Sequence, residues 1–309
     1  MKRLYGKTIL ILTAFVLCIS LNNVQAQRPS FDFENATIKA QKLRDNIYML
    51  EGLGGNVGLS VGEDGAFIID NQFPELSEKI LAAIRKITDK EIRFVINTHH
   101  HGDHTGGNEY FAKMGALIFA HENVHKILRE GTINRQTGKR NPPPPKETLP
   151  IVTFQNQLNL YLNGEAVRVI HVAPAHTNGD SFIYFSESDV IHSGDFFVTH
   201  HYPFIDVTNG GRILGIIEAL NRLIEVAGPD TKIIPGHGKL SNEAGAIDSR
   251  DMFVDIRNRI SKLISEGKSL EQVIAAKPTT DYDDRWMVDG TTRRDRFIST
   301  IYNELIDEK

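Results

Sequence analysis

The chain has 309 residues, of which 40% are hydrophobic and 24% charged, with a formal net charge of −4 and a single cysteine. A mildly acidic balance without a basic stripe argues against nucleic acid as a partner. One cysteine excludes a disulfide framework and a thiolate-rich metal site.

The first segment reads as an export signal. Lys2, Arg3 and Lys7 form a positive start, Thr8 to Leu21 is apolar, and Val24-x-Ala26 is a small-residue cleavage pattern with the cut expected after Ala26. The apolar run is short for a membrane span. Cleavage removes Cys18 and three cations, leaving a net charge of about −7. The mature protein, residues 27–309, is therefore expected to be periplasmic or secreted, with no stable membrane insertion.

Three strands are expected next, at Ile47–Leu50, Asn56–Val61 and Ala66–Asp70, punctuated by Gly54-Gly55 and Glu63-Asp64-Gly65. Ile80, Leu81, Ile84 and Ile87 recur at helical spacing within Leu76–Ile87. Strand Arg93–Ile96 runs directly into a histidine cluster. A short helix near Asn108–Met114, strand Ala116–Ala120 and helix Glu122–Arg129 follow. Gly131 to Pro150 is polar and contains four successive prolines, a loop or an active-site lid.

Strands resume from Ile151 to Phe185 and from Val190 to Phe196, then helix Ile213–Ala227 and strand Lys232–Ile234. Strands and helices alternating in two comparable halves suit a sheet-on-sheet core with helices outside. Ala66–Asp70 and Val190–Asp195 both end an apolar strand in aspartate, a hint of duplication. Beyond residue 240 the pattern turns helical: Ala246–Glu266, Leu270–Ala276 behind the capping box Ser269-Leu270-Glu271-Gln272, and Phe297–Ile306. Residues 27–240 and 241–309 are read as a main domain and a helical extension with a packing role.

His99, His101, Asp103 and His104 form an H-x-H-x-D-H pattern at a strand end. Alternation puts His99 and His101 on one side of an extended segment. A turn at Gly102 then swings Asp103 and His104 toward a second position, so the run suggests two metals. His100 faces away, either behind the ligands or at the surface. His176, Asp195 and His237 lie in further turns marked by glycine, where backbone can approach an ion closely. Without cysteine, the donor set favours zinc, manganese or iron. His121, His125, His171 and His192 are expected to pack or lie at the surface, and His200–Phe204 to line a substrate groove.

The motifs THHHGDHTGGN (98–108), HTNGD (176–180), SGD (193–195) and PGHG (235–238), in this order, resemble those of the metallo-β-lactamase superfamily over residues 37–240. The resemblance implies an α/β fold, a four-layered αββα sandwich of two related halves, here with a C-terminal helical extension. It implies two Zn2+ ions per chain: His99, His101 and His176 on the first, Asp103, His104 and His237 on the second, and Asp195 bridging. Asp70 resembles the aspartate that braces the histidine loop. A hydroxide shared by the two metals would attack the scissile carbonyl of a small-molecule amide, ester or lactone, β-lactams among them, with Asp103 orienting the nucleophile.

A bridging aspartate resembles the glyoxalase II and general hydrolase branches. Many β-lactamases of this fold carry cysteine where Asp195 stands and a nearby lysine for the substrate carboxylate; here Phe196-Phe197-Val198 follows. The diiron oxygen reductases carry glutamate where His101 stands. Alternatives to the hydrolase are a thioesterase, an iron redox enzyme and a non-catalytic metal-binding protein.

Overall fold

A computed structural model describes residues 31–132, 139–172, 174–287 and 290–307. The expected leader, 1–26, lies outside the described residues, as do 133–138 of the expected lid.

Strands β1 (Lys39–Lys42), β2 (Ile47–Glu51), β3 (Val57–Gly62) and β4 (Gly65–Ile69) pair successively as antiparallel neighbours. After helix α1 (Ser77–Arg85), β5 (Ile92–Ile96) joins parallel to β4. Short helices α2 (Gly102–Thr105) and α3 (Asn108–Lys113) lead to β6 (Leu117–His121), and α4 (Glu122–Glu130) precedes β7 (Val152–Phe154); both strands extend the sheet in parallel. The second sheet contains β8 (Gln157–Leu162), β9 (Glu165–His171), β10 (Ser181–Phe185), β11 (Val190–His192), β12 (Lys232–Ile234) and β13 (Ser241–Asn242). Asn163 and Gly164, both at positive φ, make the two-residue turn that joins β8 to β9. In both sheets an antiparallel hairpin is followed by a parallel neighbour, β3-β4-β5 and β10-β11-β12.

Side-chain alternation along these strands builds the layers. Phe67 and Ile69 of β4 face an apolar cluster shared with Val167, Ile183, Phe185 and Ile234 of the other sheet. Ile68, between them, faces outward onto Ile80 and Ile84 of α1. On the second sheet Ile191 and Ile233 face outward into a cluster with α5 (Ile213–Ile224), α6 (Glu243–Ser265) and α9 (Thr291–Asp307). The result is the four-layered αββα sandwich, with C-terminal helices on the outer face of the second sheet.

The sequence places most elements within a few residues, and the departures have local causes. The apolar run from Val190 does not continue as strand to Phe196; β11 stops at His192, and Gly194 at φ +62° reverses the chain into a single tight turn. Helix α9 starts at Thr291, six residues before the expected Phe297, because its first turns are polar. Helices α7 (Leu270–Ala275) and α8 (Thr280–Trp286) precede it. The capping box at Ser269 is present, whereas the acidic α8 has no apolar stripe to betray it. Among the described residues, no helix is long and apolar enough to cross a membrane.

Candidate metal centre

The end of β5 is fixed by Asp70, the residue after β4. Its carboxylate accepts the Thr98 amide at 2.8 Å and the Thr98 hydroxyl at 2.7 Å. The second of these oxygens also accepts His104 Nδ1–H at 2.7 Å. Asp70 thus braces the histidine loop, and it sits at φ 60° to do so, a conformation non-glycine residues seldom adopt. Asp195 meets the other nitrogen of the same ring, with its Oδ1 3.1 Å from His104 Nε2. Asp70 and Asp195 therefore flank one imidazole from opposite sides.

Four histidines repeat one arrangement: one ring nitrogen is tied to the surrounding protein and the other turns inward. The Thr98 hydroxyl donates to Asp70, so its oxygen accepts from His99 Nδ1 at 3.0 Å. His101 Nε2 donates to Asp206 at 2.9 Å. His176 Nδ1 donates to the Phe204 carbonyl at 2.6 Å, and His104 Nδ1 to Asp70. In the neutral form of these rings the inward nitrogens are then lone pairs. His99 Nε2 is buried without a hydrogen-bond partner, as is Asp195 Oδ1, to which His104 Nε2 is close but badly directed. His101 Nδ1 and His176 Nε2 lie 2.8 Å apart, and His104 Nε2 and His237 Nε2 3.4 Å apart. Buried lone pairs aimed at one another repel unless a cation or proton sits between them, so the donor set fits metal ions.

The seven residues singled out by sequence fall into two groups. His99, His101, His176 and Asp195 offer atoms within 4.8 Å of one another, and so do Asp103, His104 and His237. Asp195 Oδ2 also lies 3.4 Å from His237 Nε2, so one carboxylate faces both groups. Asp103 Oδ2 is 3.2 Å from His237 Nε2 and is the more exposed of the two carboxylates, at 27% against 11% for Asp195. Gly102 is not the hinge expected between the groups: it begins α2 with ordinary helical geometry, and a Cβ there would meet nothing within 4 Å.

Charge divides the groups. Burial, followed by the neighbouring His104, His101 and His176, holds His99 well below the ordinary imidazole range. Burial also opposes charge on His104, but Asp195, Asp70 and Asp103 outweigh it and hold that ring well above the range. His237 behaves likewise and is raised to about 9 by Asp195 and Asp103. Reciprocally, burial would raise Asp103 and Asp195, yet His104 and His237 hold both well below the carboxylate range.

Three residues of the site carry no functional signal in the sequence. Asp206 is buried, supports His101, and accepts Asn209 Nδ2–H at 2.7 Å; nothing in its local sequence marks it. His100, His101 and Asp206 form a further compact group, but His101 Nε2 is already committed to Asp206 there. Asn56 Nδ2 donates to the carbonyls of Pro235 and Gly238 at 2.9 Å each, tying the β2–β3 loop to the His237 turn. Gly55 lies flat on His104, where a Cβ would be 2.1 Å from Cε1.

Among the remaining histidines, His100 and His192 are buried. His121 stacks on His171 at 3.7 Å between ring centroids, and His125 bonds the Pro150 carbonyl. Residues 201–204 border both groups: the Phe204 ring is 6.1 Å from His101 and 6.0 Å from His176, and His201 is 6.1 Å from His237. Tyr202 anchors this strip by stacking on Phe297 of α9 and donating to Asp283 at 2.9 Å.

The sequence profile of the metallo-beta-lactamase superfamily matches residues 50–238. Over 190 residues the chain is 26% identical to a type 2 metallo-beta-lactamase of Elizabethkingia meningoseptica, covering 59% of this chain and 69% of that protein. A metallo-beta-lactamase from Pontibacter korlensis superposes with a TM-score of 0.60 at 16% identity, over 71% of this chain and all of the other. The inverting sec-alkylsulfatase of a Pseudomonas species gives a TM-score of 0.66 at 16% identity, over 86% of this chain and 50% of that one.

Proposed function

The chain belongs to the metallo-beta-lactamase superfamily, and on that premise we propose that it is an exported dinuclear zinc hydrolase of small-molecule amides, esters or lactones, with β-lactams among the candidates. The observation that carries this reading is the tethering of one nitrogen of each of four imidazoles to the surrounding protein, which turns their other nitrogens toward one another. His99, His101 and His176 would hold one zinc, Asp103, His104 and His237 the other, and Asp195 would face both.

Zinc bound there supplies Lewis acidity and acidifies a water from about 15.7 toward 7. The protein does the rest by placement. Asp103, ionised and partly open to the pocket, would help hold one zinc and would orient the nucleophilic water by accepting a hydrogen bond from it. Asp70 fixes both Thr98 and His104, so the loop carrying four of the seven donors cannot drift. Asp206 and the Phe204 carbonyl hold the tautomers of His101 and His176. Residues 27–240 carry this machinery, and the extension 241–309 borders it through Tyr202.

Zinc-loaded protein should be tested side by side on a β-lactam, a thioester, a lactone and a secondary alkyl sulfate. Hydrolysis of at least one carbonyl substrate, abolished by a chelator and lowered on the order of a hundredfold by Asp103→Asn, is the expected result. Inertness on every carbonyl substrate, turnover of the sulfate ester alone, or iron-dependent oxygen uptake would replace the reading.

A further inference from the structure

Helix α9 sets two arginines against the strip 201–204 that borders the metal groups. Arg293 and Arg296 are three residues apart and so share one face of the helix. Arg293 Nη1 donates to His201 Nδ1 at 2.7 Å and to the Tyr202 carbonyl at 3.3 Å. Burial, with Arg293 next, pushes the His201 imidazole down to about 3, so it remains a neutral acceptor. Arg296 is exposed, with its guanidinium carbon 5.8 Å from the centre of the Phe204 ring. Phe204 in turn stands beside His101 and His176.

We propose that α9 forms an oxyanion-recognising wall of the pocket, with Arg296 as the group that binds a substrate carboxylate, sulfate or phosphate lying outside the scissile bond. This rests on the hydrolase reading for its substrate, though not for its geometry. A guanidinium offers a planar fork of N–H donors that matches such groups. Phe204 presents its ring to Arg296 and holds the cation at the rim. The segment after Asp195 offers no alternative, since Phe196, Phe197 and Val198 are buried in the core. Arg293 is a positioning residue: it holds His201 and Tyr202, and with them the strip that carries Phe204.

Phenylglyoxal labelling of Arg296, read by peptide mass spectrometry, tests the wall without catalysis. Benzoate, benzenesulfonate and phenyl phosphate are compared with neutral benzyl alcohol at equal ionic strength. At least one anion is expected to slow labelling about tenfold, and the one that does identifies the head group; benzyl alcohol is expected to have no effect. In an active zinc enzyme, Arg296→Gln should lower selectivity for mono-p-nitrophenyl glutarate over p-nitrophenyl butyrate about tenfold, with Arg296→Lys in between. Lys262→Gln, an equal loss of charge on exposed α6 surface, should leave that ratio alone. Unprotected labelling, or a ratio that Arg296→Gln does not move, overturns the proposal. Zinc-loaded protein inert on both esters, with protection intact, overturns the hydrolase reading instead and leaves the wall standing.

Discussion

Replacing Gly55 with alanine puts a methyl carbon 2.1 Å from His104 Cε1 and 2.5 Å from Nε2, well inside contact distance. The ring cannot step back, because it is fully buried and its Nδ1 is held 2.7 Å from Asp70. Relief requires either a shift of the β2–β3 loop, which Asn56 ties to the His237 turn, or rupture of the His104–Asp70 bond. Overpacking of this kind costs about 1–3 kcal/mol, or on the order of 2–10 °C in Tm for a chain of this size. Loss of the bond that orients a ligand lowers metal affinity about 10- to 100-fold. The expected outcome is selective: the site at Asp103, His104 and His237 weakens, while that at His99, His101 and His176 keeps its metal. Chelator competition monitored by elemental analysis would read about one retained metal per chain against two in the parent. Gly102→Ala is the internal control, since it lies in the same motif but its Cβ would meet nothing within 4 Å. Two metals bound with parental affinity in Gly55→Ala, or equal damage from Gly102→Ala, would show that contact with Gly55 does not hold the His104 ring in place.

Asp206→Asn keeps an acceptor for His101 Nε2 but removes the charge, so affinity at the first site should fall about 10- to 100-fold with the second less affected; unchanged competition curves for both would count against the role assigned to Asp206. Gly215→Ala should destabilise the fold by about 3 kcal/mol or more, because its Cβ would lie 1.6 Å from the Pro174 carbonyl oxygen, and denaturant unfolding would show this as a lowered midpoint at unchanged slope. His201 gives a pH dependence. Its folded value of about 3 lies below the ordinary 6.5, so the unfolded chain binds more protons between those values and stability is lost as pH falls from 6.5 toward 3. Between pH 7 and 4 the metal-free parent should lose about 3 kcal/mol more than His201→Asn, measured by urea unfolding at each pH; parallel losses would contradict the assignment.

The parts of the molecule that repeat were legible in the sequence. Strand alternation around Phe67-Ile68-Ile69 encodes both faces of the first sheet, and the spacing of His99, His101, Asp103 and His104 anticipated two groups of donors. Asp70 was readable because it ends a buried strand. What was hidden depends on chain crossings that no local pattern records. Asp206 reaches His101 across 105 positions of sequence, and Asn56 reaches the His237 turn across 179 or more. The role of α9 was equally out of sight, since Arg293 and Arg296 resemble any solvated helix face until the fold sets them beside His201 and Phe204. Gly102 and Gly55 show the converse: the glycine inside the motif is dispensable to the geometry, and the one well outside it is not.

In the proposed hydrolase, two metals occupy two histidine groups that Asp195 faces together. A crystal of zinc-loaded protein, with anomalous data collected on both sides of the zinc absorption edge, tests it directly. Two zinc peaks are predicted, one among His99, His101 and His176 and one among Asp103, His104 and His237, with Asp195 between them. A single peak, a peak at His100, His101 and Asp206, or no anomalous signal would contradict the account.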